Sequence, residues 1–420
     1  MKVENFQSEF EKVLNKTNFS KKFKPIQEKA FHQFLDTGLP SKKWEDWRFT
    51  KLNKFWKTLY KVSETEHSQI TDFNFSKHHI SDVSTLTFFN GHYKKEFSDH
   101  IPEIEIIDGL IDSKHKEKIS SPTDSPFELL NTAFMDSSFN IFTKKNQILE
   151  KPIRFLIVSS SEDKLMVSPK INIKLEENSE LTLIEHHVGE SSNFFINTST
   201  HAQLLDNSKL RHIRIQSNSD STINFSNIDV NQDQNSQYTF FQFASGPELS
   251  RLNIHTKLNG QGAECSLNGL SLSSSSQQLG AHIITNHFSP NCISKQNFKN
   301  ILQDKSSGIF NGKTIVNIDA QKTDSKQSNK NLLLSKDAIM NSNPQLEIYA
   351  DDVKCSHGST TGSLDEEALF YLRSRGLSLD RARNLLIRGF ATELFDIIKH
   401  ESTKSFIYNR FENWLKKNAS

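Results

Sequence analysis

From about Pro152 to Val353 the chain reads as strand after strand, with no helix-length pattern between them. Arg251-Leu-Asn-Ile-His-Thr-Lys-Leu258 shows the rule. Leu252, Ile254, Thr256 and Leu258 form the inward set, and Arg251, Asn253, His255 and Lys257 face out, the period-two signature of a half-buried strand. Similar runs begin near Leu210, Ile223, Gln237, Arg251 and Ala263, roughly 12 to 14 residues apart, with Asn/Ser/Asp/Gly breaks between them. Few folds accept so many short, evenly spaced strands: a sandwich, a barrel or a solenoid. The breaks often lack the dipeptides of tight hairpins. Two strands per coil give about 27 residues per turn, which suits a flattened parallel β-helix. Periodicity alone leaves that solenoid and a sandwich side by side.

Helical patterns flank this span. Phe6, Phe10, Val13 and Leu14, then Ile26, Ala30, Phe31, Phe34 and Leu35, recur at helical spacing, and Gly38-Leu-Pro40 stops the second helix. Trp44 and Trp47 share a helix face; they read as local core of a helical cap, with a docking surface as the alternative. Leu86-Thr-Phe-Phe-Asn-Gly-His92 reads as a strand entering an Asn-Gly turn, and Phe127 to Phe134 as a short helix. After Gly362 the pattern turns helical again. Ser363-Leu-Asp-Glu366 is a capping box, Leu364, Ala368, Phe370, Tyr371 and Leu372 supply apolar contacts, and Arg373, Arg375 and Gly376 close the helix. Ser378 caps a second helix carrying Ala382, Leu385, Leu386, Phe390 and Leu394, and a third runs through Phe406, Phe411 and Trp414. Three units follow: a helical and mixed region over 1–150, a β core over 151–362 and a helical region over 363–420.

Charge and cysteine usage exclude several classes. Lys plus Arg (51) balances Asp plus Glu (50), so no global field draws the chain to nucleic acid or an anionic membrane. Charged residues occupy the N-terminus where a signal peptide needs an apolar run, and the longest apolar stretches fall far short of a membrane span. Three cysteines without CxxC spacing fit a reducing compartment, and the expected location is the cytoplasm.

Most apparent chemistry has a plainer explanation. Gly308-Ile-Phe-Asn-Gly-Lys-Thr314 resembles a phosphate loop, but its first glycine comes one residue late and the segment continues as a strand. Asp351-Asp352 diverge on a strand, where a glycosidase needs convergent carboxylates, so a turn or a sheet-edge role is expected. His78-His79 reads as a surface pair, and His186-His187, His255, His282 and His287 as scattered surface or satisfied residues. Cys355 and His357 differ. On a strand they share a face with Val353, roughly 6 to 7 Å apart, where the β pattern gives way to helix. Thiolate plus imidazole suits iron, an iron–sulfur cluster or zinc, but two ligands cannot close a tetrahedral site. Either the rest of this chain or a partner supplies the missing ligands, or this is a buried cysteine beside a turn histidine.

The segment from about Phe310 to Phe395 resembles the SufB/SufD family of iron–sulfur cluster assembly proteins. The resemblance rests on Phe310-Asn-Gly-Lys313, Ala320-Gln-Lys-Thr-Asp324 with Gln327, Asn331-Leu-Leu-Leu-Ser335, Pro344-Gln-Leu-Glu-Ile348, Ala350-Asp-Asp-Val-Lys-Cys-Ser-His-Gly358, Leu369-Phe-Tyr-Leu-Arg-Ser-Arg-Gly376 and Leu385-Leu386. Gly38-Leu-Pro40 with Glu45 and Trp47-Arg-Phe-Thr50, and Leu130-Asn-Thr-Ala-Phe134 followed by Pro152-Ile153, are similar to the SufD branch, as is His357 followed by Gly358. The resemblance implies a mainly β fold: a right-handed parallel β-helix core flanked by N-terminal and C-terminal α-helical regions. It implies a non-catalytic scaffold subunit that pairs with a SufB-like paralogue and docks a SufC-like ATPase, binding no nucleotide itself. By position, His357 matches a ligand for a transient cluster shared with SufB, with Cys355 beside it. Leu369, Phe370, Tyr371, Arg373, Arg375, Leu385, Leu386 and Phe390 match the ATPase-docking region. A SufB-like principal scaffold is the alternative, with a carbohydrate-active β-helix enzyme a distant third, and a homodimer of the isolated chain stays open.

Overall fold

The computed structural model describes residues 4–15, 24–64, 67, 70, 73–101, 125–135, 138–189 and 193–418. Two long parallel sheets run through the β region. One stacks Phe195–Leu204, Ile223–Gln232, Leu249–Leu258, Gln278–His287, Ser307–Val316 and Ile339–Ile348. The other stacks Glu180–Gly189, Lys209–Ser217, Gln237–Ala244, Glu264–Ser273, Ile293–Leu302, Asp324–Leu333 and Lys354–Gly362. Consecutive strands sit in opposite sheets, and each pairs in parallel with the strand one full coil away. This is the parallel β-helix; a sandwich would pair its strands antiparallel. Successive coils differ by 26 residues where Ile223 faces Leu249 and by 32 where Ser307 faces Ile339, around the expected 27. Strands Ser84–Phe89 and Ser138–Phe142 join the first rungs, beside Ile153–Ser159 and Lys170–Leu175.

The inward set packs the lumen. Leu252, Ile254 and Leu258 are buried there with Leu181, Leu210, Phe240, Leu267 and Phe298 of the facing sheet. Two features break the apolar filling. Glu185 and His187 face inward beside His212 and Arg214: Glu185 accepts from Thr200 Oγ1 at 2.6 Å and lies 3.1 Å from His212 Nε2 and 3.5 Å from His187 Nε2. Arg214, wholly buried, donates to Gln242, Asn224 and Ser226. The turns explain the Asn-rich breaks. Asn146, Asn178, Asn207 and Asn235 occupy the same corner of successive coils with φ between 53° and 62°, a left-handed conformation that asparagine tolerates best among residues bearing a side chain. Their amides bond along the stack, Asn178 to Asn146 at 2.8 Å and Asn235 to Asn207 at 3.3 Å. Gly308 to Thr314 lies within a strand, and Asp351-Asp352 in the bend before the last one, both as expected.

Helices cover the outer faces. On the first sheet sit α1 (Glu4–Asn15), α2 (Lys24–Thr37), α3 (Asn53–Lys57) and α4 (Pro126–Phe134). Their phenylalanines meet the outward Phe195 and Phe225: Phe55 lies 4.7 Å from Phe195 and Phe127 4.5 Å from Phe225, between ring centroids. Trp47 belongs to this core, as its spacing suggested. Arg251 corrects the sequence reading. It does face out of the lumen, but the cap covers it: its guanidinium stacks 3.7 Å from the Trp47 ring and Nη1 donates to Asp46 O at 2.7 Å. Burial pulls its pKa down to about 9.

The second sheet carries α6 (Leu379–Ala391) and α7 (Glu401–Asn418), and α5 (Glu366–Ser374) lies against α6. Ile387, Phe395, Ile407 and Phe411 pack on Ile213, Phe241, Leu270 and Ile301. Lys299, almost fully covered, donates to Phe390 O at 2.7 Å, where it satisfies a free carbonyl in the last turn of α6, and pairs with Glu393. The histidine pair at 78–79 splits, against expectation. His79 is exposed, while His78 is buried beneath α7 and takes a 3.1 Å hydrogen bond from Arg410 at Nδ1. His186, also buried, lies against Phe406 of the same helix. The cap of α5 is Asp365, not Ser363: its carboxylate accepts from Glu367 N and Ala368 N at 2.9 and 3.1 Å. Unlike the other two, α5 buries no residue.

Candidate functional site at the open end of the solenoid

Ile339–Ile348 and Lys354–Gly362 are the last strands of their sheets, and among the described residues no strand pairs with their outer edges. Alternation sets what faces the mouth. Ser325, Gln327, Asn329 and Asn331 point inward and are buried. One coil further, in register, come Cys355, His357, Ser359 and Thr361. With no coil above them, His357, Ser359 and Thr361 are exposed and Cys355 is half-buried. The two candidate ligands therefore sit on the inward face at the rim, above a floor of hydroxyls and amides. Ser294 donates to Ser325 at 2.9 Å, and Gln327 Nε2 donates to Thr314 Oγ1 at 2.7 Å.

The electrostatics suit a dormant half-site. Burial pushes the Cys355 thiol up, opposed by a hydrogen bond from the Ser325 backbone N–H and reinforced by Asp324. The thiol is thus protonated in the free chain and must lose its proton to bind metal. Its apolar neighbours are Val353, Val316, Ala320 and Ala350. Among the described residues, no group of three or more His, Cys, Asp or Glu could hold a metal ion. One thiol and one imidazole fit iron or an iron–sulfur cluster as part of a ligand set and leave it incomplete.

The residues matched to ATPase docking lie on α5 and α6. Phe370 is 75% exposed, Tyr371 57% and Leu385 47%, so large apolar side chains face solvent. Arg373 and Arg375 are exposed, with Arg375 5.3 Å over the Tyr371 ring. Leu369 and Leu386 are half-buried, and Phe390 is partly taken up within the chain under Lys299. Leu379, at the first position of α6 just after the Ser378 cap, is also 42% exposed. Neither Gln327 nor Lys299 was legible as a site neighbour, because register and tail docking bring them into play.

A parallel solenoid whose last strands have no strand partner on their outer edges among the described residues, with a thiol and an imidazole at that rim and exposed apolar side chains on the helices that follow, is the frame that defines the class. The match to known sequences narrows that class. The model of the SufBD core domain of the SUF system for FeS cluster assembly matches residues 156–390, and that of the SufBD protein N-terminal region matches 3–155. The chain is 30% identical to the iron–sulfur cluster assembly protein SufD of Escherichia coli K12 over 402 residues, 92% of each chain. It is 31% identical to an iron–sulfur cluster assembly SufBD family protein of Synechocystis, over 86% of this chain and 84% of that one. Protein ABCI7, chloroplastic, of Arabidopsis thaliana matches at 31% over 59% of this chain and 53% of its own. The chain belongs to the SufB/SufD family of iron–sulfur cluster assembly proteins, on its SufD branch.

Proposed function

We propose that this chain is the SufD-like subunit of a SufB–SufC–SufD scaffold, a non-catalytic cytoplasmic component that helps build and pass on nascent iron–sulfur clusters at its interface with a SufB-like paralogue. The observation that carries the reading is the unpaired solenoid end with Cys355 and His357 on its inward rim. An exposed sheet edge is a template for another chain, and pairing it with the paralogue brings further ligands to an incomplete set. His357 is the direct ligand and Cys355 its support. The cluster is cargo, held in transit.

The second partner is a SufC-like ATPase on the α5–α6 patch, which supplies the nucleotide chemistry this chain does not. Strand Lys354–Gly362 runs into α5 through Ser363 to Asp365 alone, so force on α5 reaches the ligand-bearing strand within a few residues. Movement of the ATPase would thereby shift the interface and open or assemble the ligand set. Two variants of the full chain, co-expressed with the SufB-like and SufC-like proteins, test the reading. His357→Ala should leave the complex intact and abolish cluster formation on reconstitution; normal yield overturns the ligand role. Phe370→Ser with Leu385→Ser should release the ATPase while keeping the paralogue; retained ATPase places docking elsewhere.

A further inference from the structure

Gln327 lies one coil beneath His357, its Cα in register with that of the histidine. Its side-chain nitrogen donates to Thr314 Oγ1 at 2.7 Å and to Gln345 O at 3.3 Å. A backbone carbonyl only accepts, so the amide cannot be turned over: nitrogen faces Gln345, and Oε1 faces away from it. That oxygen is buried and has no partner among the described residues. The coil below does not satisfy it. Gln296, next down the same column, sends its own amide nitrogen to Thr285 Oγ1 at 3.3 Å. The remaining neighbour along the column is His357, which brings a ring N–H.

We propose that Gln327 is the positioning residue for His357: the exposed imidazole turns down onto the unpartnered carbonyl oxygen, which accepts one ring N–H, so the other ring nitrogen carries the lone pair and presents it at the rim. A histidine that binds metal through one nitrogen needs an acceptor for the proton on the other, and a carbonyl held by two donated hydrogen bonds supplies it without adding charge. The hydroxyl and amide floor then has a purpose. Thr314 and Gln345 fix Gln327, and Gln327 fixes the tautomer of the ligand. The inference rests on His357 as the cluster ligand, but its test does not.

The full-length chain, labelled with ¹⁵N-histidine, reports ring tautomers directly at about pH 8.5, where an ordinary imidazole is neutral. His357→Ala identifies the signal among the 16 histidines. The wild type should hold one tautomer by roughly ten to one, the bias one ordinary hydrogen bond supplies. Gln327→Met, which keeps length but removes the acceptor, should bring the ratio towards even, and Gln327→Glu should restore it. An unchanged ratio in Gln327→Met, or an even ratio in the wild type, overturns the proposal. If Gln327→Met does not fold, Thr314→Val frees the amide and should move the ratio in the same direction; a ratio it leaves alone also overturns the proposal. Failure of the ligand reading looks different: His357→Ala then assembles clusters normally while the tautomer results stand.

Discussion

Mild acid should loosen the solenoid well before its carboxylates protonate. His187 and His287 point into the lumen, and both are fully buried. Burial pushes each imidazole down to about 4; for His187 the Arg214 charge adds to this and Glu185 opposes it. In the unfolded chain the same groups take up protons near the ordinary value of about 6.5. Between those values the unfolded state binds more protons than the folded one. The stability contribution is therefore complete above about pH 6.5 and is lost as pH falls towards 4. At about pH 5.5, one unit below the ordinary value, each histidine removes about 1.4 kcal/mol, and the pair about 3 kcal/mol. His78, His186 and His282 are also held down by burial and push the same way. The assay is urea unfolding followed by far-ultraviolet circular dichroism at about pH 7.5 and 5.5, at matched ionic strength. The midpoint should fall, and His287→Gln should recover about 1.4 kcal/mol of the difference between the two pH values. Equal midpoints at the two pH values, or a pH dependence that His287→Gln leaves untouched, would refute the reasoning.

Gly246 has φ +104°, and a Cβ there would lie 2.1 Å from the Asn218 carbonyl oxygen, so Gly246→Ala should cost about 3 kcal/mol or more in thermal unfolding, while Gly358→Ala, in open space, should cost little. Arg251→Ala removes the Trp47 stack and the bond to Asp46 O, so it should cost about 3 kcal/mol and shift Trp47 fluorescence towards that of a solvated indole. Lys299→Met unties the end of α6 from the second sheet; hydrogen exchange in the last turn of α6 should rise by about 30-fold, a cost of about 2 kcal/mol.

The spacing of the strands was legible because its signal is repetitive, while the choice of a β-helix over a sandwich came from the family resemblance and not from the period. Each coil restates the period of two, and an error in one strand leaves the count of coils unchanged. What the sequence could not display is what lies on an outward face. Arg251 and His186 alternate correctly and His78 ends a short 3-10 helix, yet each is covered by an element far away in sequence: the 44–50 segment for Arg251, and α7 for the two histidines. On α5 the sequence left the partner open: Phe370 and Tyr371 read as apolar contacts and, by resemblance, as docking residues, because an apolar stripe has the same pattern whether its partner is the same chain or another; both side chains face solvent. The cap shifted from Ser363 to Asp365 because both residues have the right chemistry and only the end of the strand at Gly362 decides where the helix begins. At the site, the Cys-x-His spacing and its strand could be read. Gln327 could not, since thirty residues of coil separate it from His357 and register alone makes them neighbours.

Two independent features of the last coil converge on one role. Its inward residues change chemistry, from the Leu, Ile and Phe of the middle coils to hydroxyls, amides and finally a thiol and an imidazole. A solvated end cap would explain that change by itself, because a terminal repeat is polar where it meets water. It does not explain the edge. A monomer blunts a free edge strand with lysines, prolines or bulges. Strand Lys354–Gly362 has a lysine only at its first residue, no proline and an unbroken register with the strand before it. Ile339, Ile348 and Tyr349, exposed at 58%, 41% and 61%, add an apolar rim at the ends of the neighbouring strand. Pro344 guards the other last strand, Ile339–Ile348, so the unguarded edge is that of Lys354–Gly362; with polar residues inside the mouth and apolar residues around it, that edge suits a paired interface better than a solvated cap. On the function proposed above, the pair Cys355 and His357 is an incomplete ligand set for the same reason the edge is unpaired: both are to be finished by the paralogue that meets this chain.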